Sequence, residues 1–384
     1  MTINLQPELL RWARLRAGFD ESTLAKKVGT TSDRVNQWET TGAIRMTQVE
    51  KLAHSTHTPL GFLFLEKPPQ DTLPIQDLRT VRDEPVKQPS PDLLETIQIM
   101  QLRQIWMREF LIAEGEKPLE FVGSATLESS PEVVAKMIRG ALGLSGEWAR
   151  FVSTWNEALV HLREKIDEIG VLIVINGVVG NNTHRALKTS EFRGFALCDD
   201  YAPLIFINGT DAKSAQMFTI VHELAHVWIK QDGVSNLIKL QAPTNDVEKY
   251  CNSVAAEFLV PSSELRASWG MAQSQEEPYN WLARRFKVSP IVAARRASDL
   301  GLIAEAEFFS FYEHYISQEN HARETRSSGG DFWNTQNVRV GYRFGSAVVR
   351  AAKEGKLLFR DAYRLTGLHG STFDQYALNL GYQL

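Results

Sequence analysis

The sequence predicts an α+β fold: a helical amino-terminal domain, a mostly helical domain built on a small β-sheet, and a helical carboxy-terminal region. Three observations predict it. Residues 7–65 read as five short helices with Gly-containing turns between them. Val171–Ile175, Glu191–Cys198 and Leu204–Asn208 are β-branched or apolar runs bounded by turn residues, and read as strands. Between and beyond them lie long stretches of helical periodicity, the most apolar being Phe218–Lys230.

At 384 residues the chain can form two or three domains with a substantial core. Hydrophobic content of 43% and charged content of 23% are those of an ordinary water-soluble protein. A net charge of −4 excludes a generally polybasic nucleic-acid coat while allowing a local basic surface. The amino terminus, MTINLQPELLRW, lacks a signal-peptide pattern, and no apolar run reaches membrane-spanning length. Cys198 and Cys251 are the whole cysteine content, so no disulfide framework is expected and a reducing cytoplasm is the expected compartment. Both cysteines read as packing residues.

Taken in order, the first helix starts near Pro7, carries Leu10, Ala13 and Leu15, and ends near Gly18. Glu21–Val28 follows, and Gly29 with Thr30 makes a tight turn. Ser32 is the expected N-cap of the next helix, Asp33–Glu39. Helix, short Gly-containing turn, helix is the signature of a helix-turn-helix. The run LAKKVGTTSDRVNQWE resembles the XRE-type, Cro-like family. That resemblance puts Leu24, Ala25, Val28, Val35 and Trp38 in a core. It aims Thr31, Asp33, Arg34, Asn36 and Gln37 at a duplex groove, with Lys26, Lys27 and Arg45 nearer phosphates. Residues 1–68 hold nine Lys/Arg and seven Asp/Glu, a difference of +2, and Asp33 opposes phosphate. Double-stranded DNA is the expected partner; protein docking or dimerisation is the other use of such a fold, and a homodimer is among the expected assemblies.

Pro68, Pro69, Pro74, Pro85, Pro89 and Pro91 mark residues 68–91 as a linker. Helices are expected at about 92–114, 131–143 and 155–169, the last stopped by Gly170. Trp106, Met107, Phe110 and Leu111 read as core. The three strands follow, and the exposed edge of their sheet is where an extended polypeptide could pair. Beyond Pro261 the chain reads as further helices. Trp281–Phe286 and Ile291–Leu300, separated by Val288-Ser289-Pro290, look superficially like another helix-turn-helix and are taken as structural. Ser327-Ser328-Gly329-Gly330 reads as a second hinge. The helices after it carry Arg339, Arg343, Arg350, Lys353, Lys356, Arg360 and Arg364, and read as a lid or partner-docking tail rather than a second nucleic-acid contact. The expected domains are 1–67, 68–150 (linker and helical connector), 151–326 and 327–384.

The chemistry concentrates in His222-Glu223-Leu224-Ala225-His226, an H-E-x-x-H pattern. Residues four apart share a helix face, so both imidazoles can reach one zinc ion, while Glu223 projects beside the metal where it can take a proton. Charged groups in so apolar a helix are costly unless paired or metal-bound. A third ligand is expected on the helix beginning near Val247 and ending before Pro261. Glu248 is favoured and Glu257 is its rival; Asn252, one turn beyond Glu248, can orient a ligand histidine.

These motifs resemble the ImmA/IrrE-type metallopeptidases, whose H-E-x-x-H is followed by E-x-x-x-N-x-x-A-x-x-L-x-P; Glu248, Asn252, Ala255, Leu259 and Pro261 follow that pattern closely. The E-x-x-x-N element is also similar to the E-x-x-x-D of thermolysin-like gluzincins. The resemblance extends to Gly177–Arg185 and Phe192–Leu197, where His184, Arg185 and Arg193 are candidates to touch substrate. It implies Zn2+ held by His222, His226 and Glu248, with Glu223 as general base. It further implies a cytoplasmic regulator that cleaves a repressor-, antitoxin- or toxin-like partner protein. The alternative is a DNA-binding repressor or antitoxin whose peptidase-like domain only senses or docks a partner.

Overall fold

The computed structural model describes residues 2–69, 89–235, 245–323 and 332–382. Most of the expected linker and the Ser327–Gly330 hinge lie outside them. The described chain forms two compact units that divide at Gln98/Ile99. The fold is mostly helical α+β, with a small mixed sheet in the second unit.

In the first unit, strand β1 (Thr2–Asn4) precedes helices α1 (Pro7–Arg16), α2 (Glu21–Val28) and α3 (Ser32–Thr41). Strand β2 (Ala43–Arg45) then pairs antiparallel with β1, and α4 (Met46–Ser55) follows. The expected fifth helix is a single 3-10 stretch, Leu60–Phe64. Leu24, Ala25, Val28, Val35 and Trp38 are buried together with Leu10, Ala13, Val49 and Leu52, whereas Leu15 is 56% exposed. Gly29 takes the left-handed conformation that ends α2, at φ 72°. The N-cap of α3 is Thr31 rather than Ser32: its hydroxyl accepts from the Arg34 N–H at 3.3 Å. Both Thr and Ser can cap, and it is Thr31 that stands in extended conformation one residue before the helix, with its hydroxyl at the Arg34 N–H. Arg14, buried on α1, donates through both Nε and Nη2 to Glu39 on α3 at 2.6 and 2.7 Å. That two-point pair fixes the angle between the two helices.

The second unit contains most of α5 (Pro91–Ala113), then α6 (Pro131–Ala141) and α7 (Trp155–Glu168). Pro91, counted above with the linker prolines, is the first residue of α5, a position where a missing N–H costs nothing. The sheet strands are β3 (Leu172–Asn176), β6 (Gly194–Leu197), β7 (Leu204–Asn208) and β8 (Gly233–Ser235); β4 (Val178–Val179) and β5 (Asn182–Ala186) form a separate hairpin. The spatial order is β3-β7-β6-β8, with β3 parallel to β7 and the other pairs antiparallel. The helix predicted around the H-E-x-x-H pattern is α8 (Lys213–Ile229), and α9 (Asp246–Leu259) packs against it. Helices α10 (Ser262–Gln273), α11 (Pro278–Phe286), α12 (Pro290–Asp299) and α13 (Glu305–Arg323) follow. Leu282, Phe286, Val288, Ala293 and Ala297 join the core that buries α8 and α9, so α11 and α12 act as packing elements.

The last four helices are α14 (Phe332–Val340), α15 (Tyr342–Lys353), α16 (Phe359–Thr366) and α17 (Ser371–Asn379). They are not a detached tail. Helix α14 packs on β3, and Arg103 of α5 reaches into them. Its buried guanidinium donates to the carbonyls of Leu365 and Arg339, both at 2.9 Å, so one cation satisfies the carboxy-terminal ends of α16 and α14. Arg350 and Lys356, two of the basic residues of this region, are ion-paired to Glu114 at 3.1 and 2.8 Å. No described helix is long and apolar enough to cross a membrane.

Asp167, near the end of α7, lines an internal space with Arg103, Ile173 and Phe344. Burial pushes its carboxyl up to about 7, outweighing the opposing pull of Arg163 and Arg343. Between pH ~4 and ~7 the folded chain therefore holds a proton that the unfolded chain releases, and stability falls as pH rises through that window. Asp167→Asn should flatten this fall and be more stable than wild type at pH ~8 by up to about 4 kcal/mol, measured by urea unfolding at several pH values with metal content held constant.

Candidate metal centre

Helix α8 begins where the end of β7 is tied down. Asn208, fully buried, donates to the Phe192 carbonyl at 3.2 Å and accepts from the Thr210 hydroxyl at 2.7 Å. Gln216 then donates back to the Asp211 carbonyl at 2.7 Å. From Gln216 to Ile229 nearly every side chain is buried, as its composition of Met, Ile, Val, Leu, Ala and Trp requires. The far end is closed by the segment before α6: Gly123 and Ala125 donate to the carbonyls of Val227 and Trp228 at 3.2 and 3.0 Å. Phe121 stacks on Trp228 with ring centroids 4.5 Å apart. A helix satisfied at both ends can hold its polar residues in fixed positions.

Those residues are His222, Glu223 and His226, each 0% exposed. His222 and His226 bring their Nε2 atoms to 3.2 Å from one another. Helix α9 is capped by the Asn245 side chain, which accepts from the Val247 N–H at 2.9 Å, and its first turn supplies Glu248. The Glu248 carboxylate places one oxygen 3.2 Å from His226 Nε2 and the other 3.3 Å from His222 Nε2. Four-coordinate zinc, with ligands at about 2.0–2.1 Å, sets neighbouring donors roughly 3.3 Å apart. The three donors already have that spacing.

The donor chemistry agrees with the spacing. Asn252 Oδ1 lies 2.9 Å from His222 Nδ1. With the amide oxygen facing the ring, Nδ1 carries the proton and Nε2 keeps its lone pair for a metal. Burial pushes the Glu248 carboxyl up, while the two facing histidines, when protonated, outweigh it and hold it down at about 2. With those protons released, the buried carboxylate needs another positive charge, which a divalent cation between the three donors would supply. His222, His226 and Glu248 form a group able to hold a metal ion.

Residues 166–298 match the IrrE N-terminal-like domain, a peptidase family. Residues 340–379, which cover α15, α16 and α17, match a domain of unknown function. No curated protein matches the chain.

Within the IrrE N-terminal-like domain the rival ligand, Glu257, has a different role. It pairs with Arg296 of α12 and accepts from the Ser262 N–H, holding the start of α10. Nine residues on a helix turn the side chain to the opposite face from Glu248, a signal the sequence contained. Cys251 is fully buried in the core. Of the loop candidates, Arg193 is ion-paired with Asp211 at 3.0 Å, Arg185 is buried on β5, and His184 is exposed. None of these three joins the metal group. The edge strand next to β6 is β8, three residues that no strand pattern announced.

The ligand assignment has a direct check. His222→Ala and Glu248→Ala should each lose the capacity to hold a divalent metal ion, while Glu257→Ala should keep it and lose thermal stability instead. Elemental analysis of the purified full chains and a melting curve measure both effects.

Proposed function

We propose that this chain is a zinc-dependent endopeptidase that cleaves one partner protein, of repressor or antitoxin type, and that its first unit binds duplex DNA. The peptidase reading rests on the cluster of His222, His226 and Glu248, with the Glu223 carboxylate one residue along the same buried helix. A zinc ion held by those three residues would supply Lewis acidity, polarising the scissile carbonyl and acidifying water. The chain's own contribution is proton transfer and orientation. Glu223 accepts the proton of the attacking water and passes it to the leaving amine. Asn252 fixes the His222 ring in the tautomer a ligand needs. The apolar walls of α8 and β6 keep bulk water from competing.

One observation favours a second reading. His222, Glu223 and His226 are 0% exposed, as suits a closed fold that senses or docks a partner without cutting it. Glu223→Gln separates the two, because an amide has the same size but cannot act as a base. In cells carrying the neighbouring genes, the wild-type chain should shorten one partner protein. Glu223→Gln should retain zinc and lower that rate by roughly 10²–10⁴-fold. Full regulation with no partner shortened in either strain would sink the peptidase reading.

DNA binding draws its support from α3, whose Arg34, Asn36 and Gln37 are exposed, with Lys26, Lys27 and Arg45 exposed beside them in sequence. Thr31 is exposed as well, but its hydroxyl is engaged as the cap. Arg34 donates to Gln37 Oε1 at 2.6 Å, an arrangement that presents the two side chains together. Arg34→Ala should weaken duplex binding by about 1–3 kcal/mol, and Lys26→Ala should reduce the salt slope by about one. Fluorescence anisotropy across a salt series measures both. Absence of duplex affinity at low salt would make this unit a docking module.

A further inference from the structure

Gly194 opens β6, a strand buried along its whole length. Glycine weakens a strand and lies in one mainly where another group approaches closely. Its backbone is outside the left-handed region, so conformation does not require glycine there. Space does. A Cβ added at Gly194 would stand 2.7 Å from Thr219 Cγ2, 3.0 Å from Glu223 Oε1 and 3.0 Å from the Phe206 carbonyl oxygen.

The three neighbours differ in how far they can yield. The Phe206 carbonyl is backbone of the central strand β7. Thr219 is held in its rotamer because its hydroxyl donates to the Ala215 carbonyl at 3.0 Å, which aims the methyl at Gly194. Glu223 Oε1 is the end of a flexible side chain, so it is the group that a Cβ would displace. We propose that Gly194, with Thr219, forms a seat that sets the Glu223 carboxylate beside the metal site. Gly194 is thus a positioning residue for the reaction. The inference rests on the peptidase reading, in which Glu223 carries the proton. It adds that the base is placed by the absence of a side chain on the strand beneath it.

The test uses the full-length chain loaded with cobalt(II), whose visible spectrum reports ligand set and local charge. Four proteins are compared: wild type, Glu223→Gln, Gly194→Ala, and Gly194→Ala combined with Thr219→Ser, which removes the 2.7 Å methyl contact. All should bind one equivalent of cobalt. The pH midpoint of the spectral change should move in Glu223→Gln by about one pH unit, as expected on removing a charge at close range. It should move the same way in Gly194→Ala, and by less in the double variant, where position 194 can shift into the space left by the Thr219 methyl and away from Glu223 Oε1. A wild-type midpoint in Gly194→Ala, with that of Glu223→Gln shifted, overturns the seat alone. An unmoved midpoint in Glu223→Gln overturns the base reading and the seat with it. If Gly194→Ala and the double variant both fail to fold or to bind cobalt, Gly194 is structural and the proposal is wrong.

Discussion

Two imidazoles and a carboxylate meet in the interior of this molecule, and much of the second unit serves to keep them there. Taking ionisable groups out of water costs several kcal/mol each unless partners replace the lost solvent. The chain meets that cost by making α8 otherwise apolar and by satisfying its ends. The segment before α6 accepts the role of partner for the last carbonyls, and Asn208 and Gln216 tie the start to β7. Helix α9 is anchored in the same manner. Asn245 caps its first turn, while Arg139 donates to the Glu257 and Phe258 carbonyls and Arg296 to that of Val260. With both helices held at both ends, the donor spacing follows from helix geometry.

A similar device attaches the carboxy-terminal helices. Arg103 is buried, and burial lowers its guanidinium to about 10, still cationic at neutral pH. The carbonyls at the ends of α14 and α16 face it and accept its hydrogen bonds. Aligned peptide dipoles concentrate negative charge at such ends, so one guanidinium can stabilise two helices. Arg350 of α15 and Lys356 of the following turn both pair with Glu114. A sequence count registers only their charge, whereas at the surface the fold uses these two to tie α15 and the following turn to the end of α5.

What could be read from the sequence divides along the range of the interactions involved. The α+β class, α8 and the His222/His226 pair depend on local periodicity, and the structure has them where the pattern put them. Strand β7 was legible for the same reason. Strand β8 was not: three residues cannot display a period of two, and its place beside β6 is decided by the chain's return from α8. Strands β1, β2 and β4 are as short, and β5, though five residues long, is mostly exposed and polar, so none of them shows a strand pattern. The exchange of Ser32 for Thr31 as cap is a one-residue ambiguity between equivalent side chains. The importance of Gly194 was hidden because its neighbours Thr219 and Glu223 are distant in sequence, although an isolated glycine opening an apolar strand was a visible sign.

The two glutamates of α9 show how far environment decides the role of one residue type. Glu248 and Glu257 sit on the same helix and are 3% and 5% exposed. Half a helical turn separates their directions. Glu257 meets the Arg296 guanidinium and the N–H at the head of α10, so its charge is matched by permanent partners and its function is to hold α9, α10 and α12 together. Glu248 meets two imidazoles, whose charge is not permanent, and one of them is already oriented by Asn252 to offer a lone pair. A carboxylate facing lone pairs is compensated fully only when a cation enters between them. The helix therefore carries a completed ion pair on one face and, on the other, a set of donors that a metal ion would complete.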